Sequence, residues 1–430
     1  MPDNLDQKAR EILRANDKGG FTIPTAGLYP YQWNWDSVLV ALGFATFDEA
    51  RACAEIETLF EAQWEDGLVP HIVFRRNDPD YFPGPDVWQA GESMPTSGIT
   101  QPPVAATVVH ELWSRSDDSA IKVRMLALFP KLLAWHRWFH RYRVPDGVGA
   151  AVITHPWESG RDNSPEWDHP ASAVDVSGVT PYERRDLQHA DAAMRPTKLD
   201  YDRYIAMVEF GRNTGWDHEA IATRGPFRVA DVGMTMILLR ASRDLMRLAE
   251  ELGDTEAMAE LQGYVNQLEQ GADYLWDDSI QAYCSRDVIT GRHSGYITSG
   301  SFLFAYAGVG SATQRAAMSR HWDRISASCR YMCPSHDPDD VLFDADRYWR
   351  GPVWLVVNYM LARGFSESGL DDWARRITED SRELIREHGF YEAFNPQAGT
   401  GTGGEEFSWT AAMWLAWLRP AAEKARELAS

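Results

Sequence analysis

Apolar residues recur every three or four positions along most of this chain, the period of a helix that buries one face. Ser119–Tyr142 reads SAIKVRMLALFPKLLAWHRWFHRY on that pattern. Asp231–Gly253 (DVGMTMILLRASRDLMRLAEELG) repeats it and stops on glycine, the residue that most readily ends a helix in the left-handed conformation. Asp254 follows at once as an N-cap, with Glu256 in the first turn, so a helical hairpin with almost no linker is predicted there. Further helices are predicted at Asn4–Asn16, Ser37–Ala45, Asp48–Gln63, Pro103–Ser116, Asp200–Arg212, Gly300–Tyr306, Ala312–Trp322, Val353–Arg363, Asp371–His388 and Ser408–Leu428, about a dozen in all. Alternating β-branched runs are scarce, which argues for an all-α fold.

Five irregular stretches separate these helices: Glu65–Gln101, Val144–Lys198, Asp277–Ser299, Arg330–Pro352 and His388–Phe407. Irregular segments this long inside a compact domain usually carry function. Their Trp and Tyr content is unlike that of linkers. Nothing marks a domain boundary, so residues 1–430 are expected to form one domain. Its helices pair into a ring, with the long insertions (about 65–101 and 144–198 among them) gathered at one end.

Composition narrows the function. The 430 residues are 44% hydrophobic and 24% charged, ordinary for a globular protein. A formal net charge of −21 argues against nucleic acid and against anionic membrane surfaces as partners. No apolar run is long enough to span a bilayer, and the N-terminus has no apolar core of a secretory signal. Four cysteines make no disulfide scaffold; reduced thiols in the cytoplasm are expected. Cys329 and Cys333 lack a second Cys/His pair, and His136 and His140 lack the Glu of a zinc-protease motif. The acidic loop Asp337–Asp346 lacks EF-hand spacing and is read as a solvated or lid loop. Gly399–Gly404 (GTGTGG) is read as a flexible segment beside the site. No metal and no cofactor are expected.

Many of the 18 Trp, with other aromatics, sit beside acids and amides in the loops and loop–helix junctions. Examples are Trp33-Asn34-Trp35-Asp36, Gln63-Trp64-Glu65-Asp66, Trp157-Glu158, Glu166-Trp167-Asp168, Tyr348-Trp349-Arg350 and Tyr391-Glu392. Flat rings stack on the C–H face of a sugar while carboxylates and amides hold its hydroxyls. Glycoside hydrolysis needs two carboxyl groups, one to protonate the leaving oxygen and one to act on water or carbon. Glu158 and Asp162, Glu392, and Glu405 with Glu406 are all candidates, and the residues alone do not rank them.

Five motifs occur in order: Trp33-Asn34-Trp35-Asp36-Ser37, Gln63-Trp64-Glu65-Asp66-Gly67-Leu68-Val69-Pro70, Glu158-Ser159-Gly160-Arg161-Asp162-Asn163-Ser164, Tyr348-Trp349-Arg350-Gly351-Pro352-Val353-Trp354 and Phe407-Ser408-Trp409-Thr410-Ala411-Ala412. Together they resemble family 63 of the glycoside hydrolases. Within it the likeness is greatest to the short bacterial hydrolases of glucosylglycerate and mannosylglycerate. The resemblance implies an (α/α)6 barrel and an inverting mechanism, with Asp162 as general acid and Glu392 as general base. In an inverting enzyme these carboxyls lie about 6.5–9.5 Å apart. Trp35, Asp36, Gln101 and Trp354 are implied as sugar contacts, and Tyr348 and Trp157 as further walls of that pocket.

The implied substrate is a small anionic glycoside, 2-O-α-D-glucosylglycerate first and mannosylglycerate second. Its carboxylate needs a local cation in an acidic protein, and arginine pairs a carboxylate through two parallel hydrogen bonds. Arg195 is the expected partner, with Tyr201 and Tyr81 supplying hydroxyls; Arg161, Arg350 and Lys198 are rivals. Glu158 and Glu166 are expected to help raise the pKa of Asp162. A hydrolase of a neutral disaccharide, a sugar 2-epimerase and a non-catalytic sugar-binding protein are the alternatives. A homo-oligomer is left open.

Overall fold

The computed structural model describes residues 2–76, 78–188 and 191–419. Its helices form two concentric layers. The inner layer comprises Asn34–Phe44, Ala105–Arg115, Val232–Leu252, the short Ser299–Leu303 and Phe304–Ala307, Leu355–Glu367 and Ser408–Met413. Each packs on the next in that order, and the last packs back on the first, so the ring closes. Every residue of 34–44, 304–307 and 408–413 is buried, as expected of helices covered on all sides. The outer helices bury one face only. In Asp371–His388 the buried positions are Ile377, Asp380, Ser381, Leu384 and Ile385, a helical stripe. Its outer companions are Pro2–Asn16, Glu49–Phe60, Ser119–Ala127 with Phe129–Tyr142, Thr255–Tyr274 and Ala312–Ser328. This is the (α/α)6 barrel.

Connections differ at the two ends. From an inner helix to the following outer one the chain needs only a few residues, as at Gly253–Asp254, where Gly253 takes φ 67° and Asp254 accepts from the Ala257 N–H. The return paths are the five long stretches and the shorter 17–33. Residues 17–33, 65–101, 277–299, 330–352 and 388–407 lead directly to the N-terminal end of an inner helix, and 144–198 does so by way of helices Lys198–Asn213 and His218–Arg224, so that end of the barrel carries the loops. Small antiparallel pairings fasten them: Gln32–Trp33 with Ile72–Val73, Val229–Ala230 between Val152–Ile153 and Arg286–Asp287, Trp276–Asp277 with Ala282–Tyr283, and Tyr391–Phe394 with Gly401–Glu405.

Several elements differ from the sequence reading. The helix expected over 119–142 breaks at Leu128, because Pro130 lacks an N–H and is accommodated in the first turn of a new helix. The segment at 300–306 opens as a 3-10 turn before one helical turn. Ser408–Met413 runs on into a π turn at Trp414–Leu418; the rest of the predicted helix, 420–428, lies outside the described residues. Helix His218–Arg224, capped by Asp217, was not foreseen. Residues 401–405, expected to be flexible, form a strand.

The interior follows the same division. The main hydrophobic core fills the ring and its outer layer. A second, largely aromatic core lies under the loops, with Tyr31, Trp33, Phe74, Trp88, Trp157 and Tyr204 among its members. The aromatic surplus therefore serves both as barrel filling and as the floor beneath the loops.

Candidate active site

The site is built where four of the five long stretches meet the inner-helix N-termini. Helix 34–44 begins directly after strand 32–33. Its first turn carries Trp35 and Asp36, both buried, and the Trp35 N–H donates to Gln101 Oε1 at 3.3 Å. Gly160 is the close-approach point: a Cβ there would lie 2.7 Å from the Trp35 ring, and its φ of 67° suits glycine.

The turn that carries Asp162 is clamped from both sides. Glu158 accepts from Arg143 at 2.9 Å and from the Thr154 N–H at 2.7 Å. Arg161 pairs with Glu166 and, at 2.7 Å, with Asp231, all of them buried. The Tyr204 hydroxyl donates to the Asp162 carbonyl at 2.6 Å. Glu158 and Glu166 are thus engaged with arginines. The expectation that they raise the Asp162 pKa does not hold. Burial raises it, to about 6, with Arg195 opposing and a smaller push from Glu392.

Glu392 reaches the site from strand 391–394. Its Oε1 accepts from the Tyr29 hydroxyl at 3.0 Å and its Oε2 from the Gly404 N–H at 3.0 Å. The neighbouring strand can run this close only because Gly403 has no side chain; a Cβ there would sit 2.1 Å from Glu392 Oε2, at φ 74°. Burial lifts the Glu392 pKa above the usual carboxylate value, against the pull of Arg195 and these two donors. Asp36 is raised further, by burial and then by the charges of Glu392 and Asp162.

Arg195 is the cation in this wall. It is 7% exposed, donates through Nη1 to the Tyr29 hydroxyl at 2.9 Å and through Nε to Asp186 at 3.2 Å, and stacks over the Tyr348 ring at 4.5 Å. Burial disfavours its charge, but Tyr29, Tyr348, Glu392 and Asp186 outweigh that and raise its pKa. The rival arginines are occupied elsewhere: Arg161 as above, Arg350 by Asp168 at 2.5 and 3.0 Å. Lys198 lies at the surface on Asp202.

These groups line a cavity of about 80 Å3 that is partly open to solvent. All the residues singled out from the sequence line it: Trp35, Asp36, Tyr81, Gln101, Trp157, Asp162, Arg195, Tyr201, Tyr348, Trp354 and Glu392. Trp354 lies flat on Trp349 with centroids 3.9 Å apart, and Trp157 stacks on His71. The Tyr201 hydroxyl already donates to the Phe82 carbonyl at 3.3 Å. Trp64 and Trp167, named with the sugar-type clusters, lie outside the wall and donate to Thr96 and to the Arg161 carbonyl.

Sequence reasoning missed Tyr29, the hydroxyl that joins Arg195, Glu392 and, at 3.2 Å, the Tyr348 hydroxyl. It stands just ahead of the first motif, outside it. His71 was missed as well; burial holds its pKa well below the ordinary imidazole value. Glu405 and Glu406 are exposed and do not line the cavity. The acid-rich loop is solvated and also cross-linked: Asp339, Asp344 and Asp346 are exposed, while Asp337 and Asp339 bind Arg324 and Asp346 accepts from Asn395. Among the described residues, the group with metal-ligand chemistry is Asp277, Cys284 and His293, away from this cavity.

Such a cavity, with deep carboxyls, one guanidinium and aromatic walls, can hold an anionic sugar and move protons at two points. Comparison with known proteins agrees. Residues 29–410 match the model of the mannosylglycerate hydrolase MGH1-like glycoside hydrolase domain. The chain is 46% identical over 414 residues to mannosylglycerate hydrolase MGH1 of Selaginella moellendorffii, covering 96% of this chain and 85% of that one. It is 31% identical over 437 residues to glucosylglycerate hydrolase of Mycolicibacterium hassiacum, covering 97% and 98%. The crystal structure of the family 63 mannosylglycerate hydrolase of Thermus thermophilus, in complex with Tris and D-glycerate, superposes with a TM-score of 0.93 at 45% identity, over 96% of this chain and all of that one. The chain is a glycoside hydrolase and belongs to the MGH1-like branch of glycoside hydrolase family 63.

Proposed function

We propose that this enzyme hydrolyses a 2-O-α-hexosyl glycerate to hexose and glycerate with inversion at the anomeric carbon. Mannosylglycerate is placed ahead of glucosylglycerate. This reverses the order expected from the sequence, because the relatives named for the mannoside are 37–46% identical and the one named for the glucoside 31%. The observation that carries the reading is Arg195: a buried guanidinium held by Tyr29 and Tyr348 in the wall of a cavity otherwise lined by carboxyls and aromatic rings. A neutral disaccharide has no use for it.

In this reading the glycerate carboxylate pairs with Arg195, and the hexose lies over Trp35 and Trp354 with Asp36 and Gln101 on its hydroxyls. Asp162 enters protonated and gives its proton to the glycosidic oxygen as the bond breaks. Glu392 enters ionised and takes a proton from the water that attacks the opposite face. The Tyr29 hydroxyl and the Gly404 N–H favour the charged form of Glu392. The continuous core of the barrel supports one catalytic domain, and four free buried thiols suit a cytoplasmic setting.

The test follows hexose release from mannosylglycerate, glucosylglycerate and a neutral α-glucoside with the wild-type protein and Arg195→Ala. The variant is expected to lose about a hundredfold or more in kcat/KM on the glycerates, the scale of a lost buried charge pair, and much less on the neutral sugar. Equal losses on all three overturn the glycerate assignment.

A further inference from the structure

Behind Asp162 lies a second, smaller cavity. Its buried, inner lining includes Asn163, Ser164, Trp167 and Tyr204; Asp162, where it meets the substrate cavity, and the outer Asp168, Asp200 and Arg203 are half-buried. Asp162 is its one residue in common with the substrate cavity. Asn163 is 2% exposed, yet neither its amide nitrogen nor its carbonyl oxygen has a hydrogen-bond partner among the described residues. A buried amide left in that state costs stability and is normally satisfied by an ordered water. The cavity offers a water about 10 Å3, the lower end of the roughly 10–15 Å3 that one water needs.

The outer residues are half-buried and lead toward solvent. Asp168 pairs with Arg350, and Asp200 caps helix Lys198–Asn213 by accepting from the Thr197 N–H at 2.9 Å. Ser164 is occupied by Glu166 at 3.2 Å, and Tyr204 by the Asp162 carbonyl. Asn163 is therefore the inner wall's polar side chain with capacity to spare.

We propose that Asn163 holds a water in this cavity and that the water re-supplies Asp162 with its proton after each turnover. The proposal rests on Asp162 being the general acid. After cleavage Asp162 has given its proton to the departing glycerate oxygen and is a carboxylate, while Glu392 carries the proton taken from the attacking water. The cycle closes when one proton enters at Asp162 and one leaves Glu392 to solvent. On the Asp162 side a buffer acid or hydronium in bulk passes a proton to the Asn163-bound water, which passes one of its own to the carboxylate; no bond to carbon is touched and no charge is stranded. The substrate cavity need not be open to solvent on that side for the acid to be reset. Asn163 acts here as a positioning residue.

The experiment compares Asn163→Leu, similar in size and unable to bind water, with the wild type on mannosylglycerate. Expected is a fall in kcat of about tenfold or more with KM nearly unchanged, and recovery of kcat as imidazolium buffer is raised, because a small acid then reaches Asp162 through the emptied substrate cavity. Unchanged kcat, or a loss that buffer does not relieve, overturns the proposal. A wild-type crystal structure gives a second measure that needs no variant: a water bonded to Asn163 supports the route and a dry cavity overturns it. Asp162→Asn run alongside separates the two readings. If that variant keeps full activity, the acid assignment itself falls; if it is inactive while Asn163→Leu is unaffected, only the water route falls.

Discussion

Asp162 and Glu392 face one cavity from opposite supports, and their surroundings differ. Asp162 sits on a turn clamped by two buried arginine–carboxylate groups, and burial holds its pKa up at about 6. Glu392 sits on a strand, with one oxygen on the Tyr29 hydroxyl and the other on the Gly404 N–H. Burial raises both carboxyls, and each is pulled back by Arg195, one backbone hydrogen bond and one tyrosine hydrogen bond. These bonds come from Gly404 and Tyr29 for Glu392, and from the backbone and Tyr348 for Asp162. Glu392 differs in that the named donors sit one on each oxygen. The difference lies in the supports: a turn locked by two arginine–carboxylate groups on one side, a strand passed closely by its glycine-rich neighbour on the other.

The contrast breaks most visibly when either group is neutralised. Asp162→Asn and Glu392→Gln are each expected to lower kcat on mannosylglycerate by about 10²–10⁴, measured by hexose release. Gly403→Ala should come next. Its Cβ collides with Glu392 Oε2, so the base is pushed out of place and kcat falls by about a hundredfold, the effect of a misplacement near 1 Å. The turn that carries Asp162 is untouched, so the alkaline limb of the pH profile is retained and shifts only as far as the smaller push from Glu392 changes.

That limb sharpens the comparison further. Asp162 must be protonated, so kcat/KM for the free enzyme should fall as pH rises through about 6, and the limb should vanish in Asp162→Asn. Glu392 must be ionised, so the acid limb should lie above the ordinary glutamate value, in keeping with its raised pKa.

The smallest effect concerns stability. An acid whose pKa is higher folded than unfolded stabilises the fold below its unfolded value, near 3.9, and that contribution is lost as pH rises through the folded value of about 6. Asp162→Asn removes the cost. At pH 8 the variant should be more stable than the wild type by on the order of 2 kcal/mol in urea unfolding, and the gain should disappear below about pH 4.

Much of this was legible in the sequence because helical period and cap residues act locally. Asp254, Gly253 and the stripe of 371–388 fix their helices through contacts within a turn or two. Trp35, Asp36, Asp162, Tyr348 and Trp354 were legible because the motifs hold them in order; Tyr81, Gln101, Trp157, Arg195, Tyr201 and Glu392 lie outside those motifs. What escaped was set by the partner across the barrel. Tyr29 stands two residues ahead of Tyr31 and four ahead of Trp33, outside the quoted motif, and only the fold places its hydroxyl between Arg195 and Glu392. The glycines of 399–404 looked like a flexible stretch, whereas they let one strand pass beside Glu392. Glu158 and Glu166 stood near Asp162 in sequence, but the fold gives each its own arginine.

The central claim, that Asp162 is the acid and Glu392 the base, is tested most directly by a leaving group that needs no proton. Turnover of an α-mannosyl fluoride is to be measured beside mannosylglycerate for both variants. Asp162→Asn should keep most of its activity on the fluoride while failing on the glycerate, and Glu392→Gln should fail on both. Equal loss on the two substrates by Asp162→Asn, or fluoride turnover surviving in Glu392→Gln, would contradict the assignment.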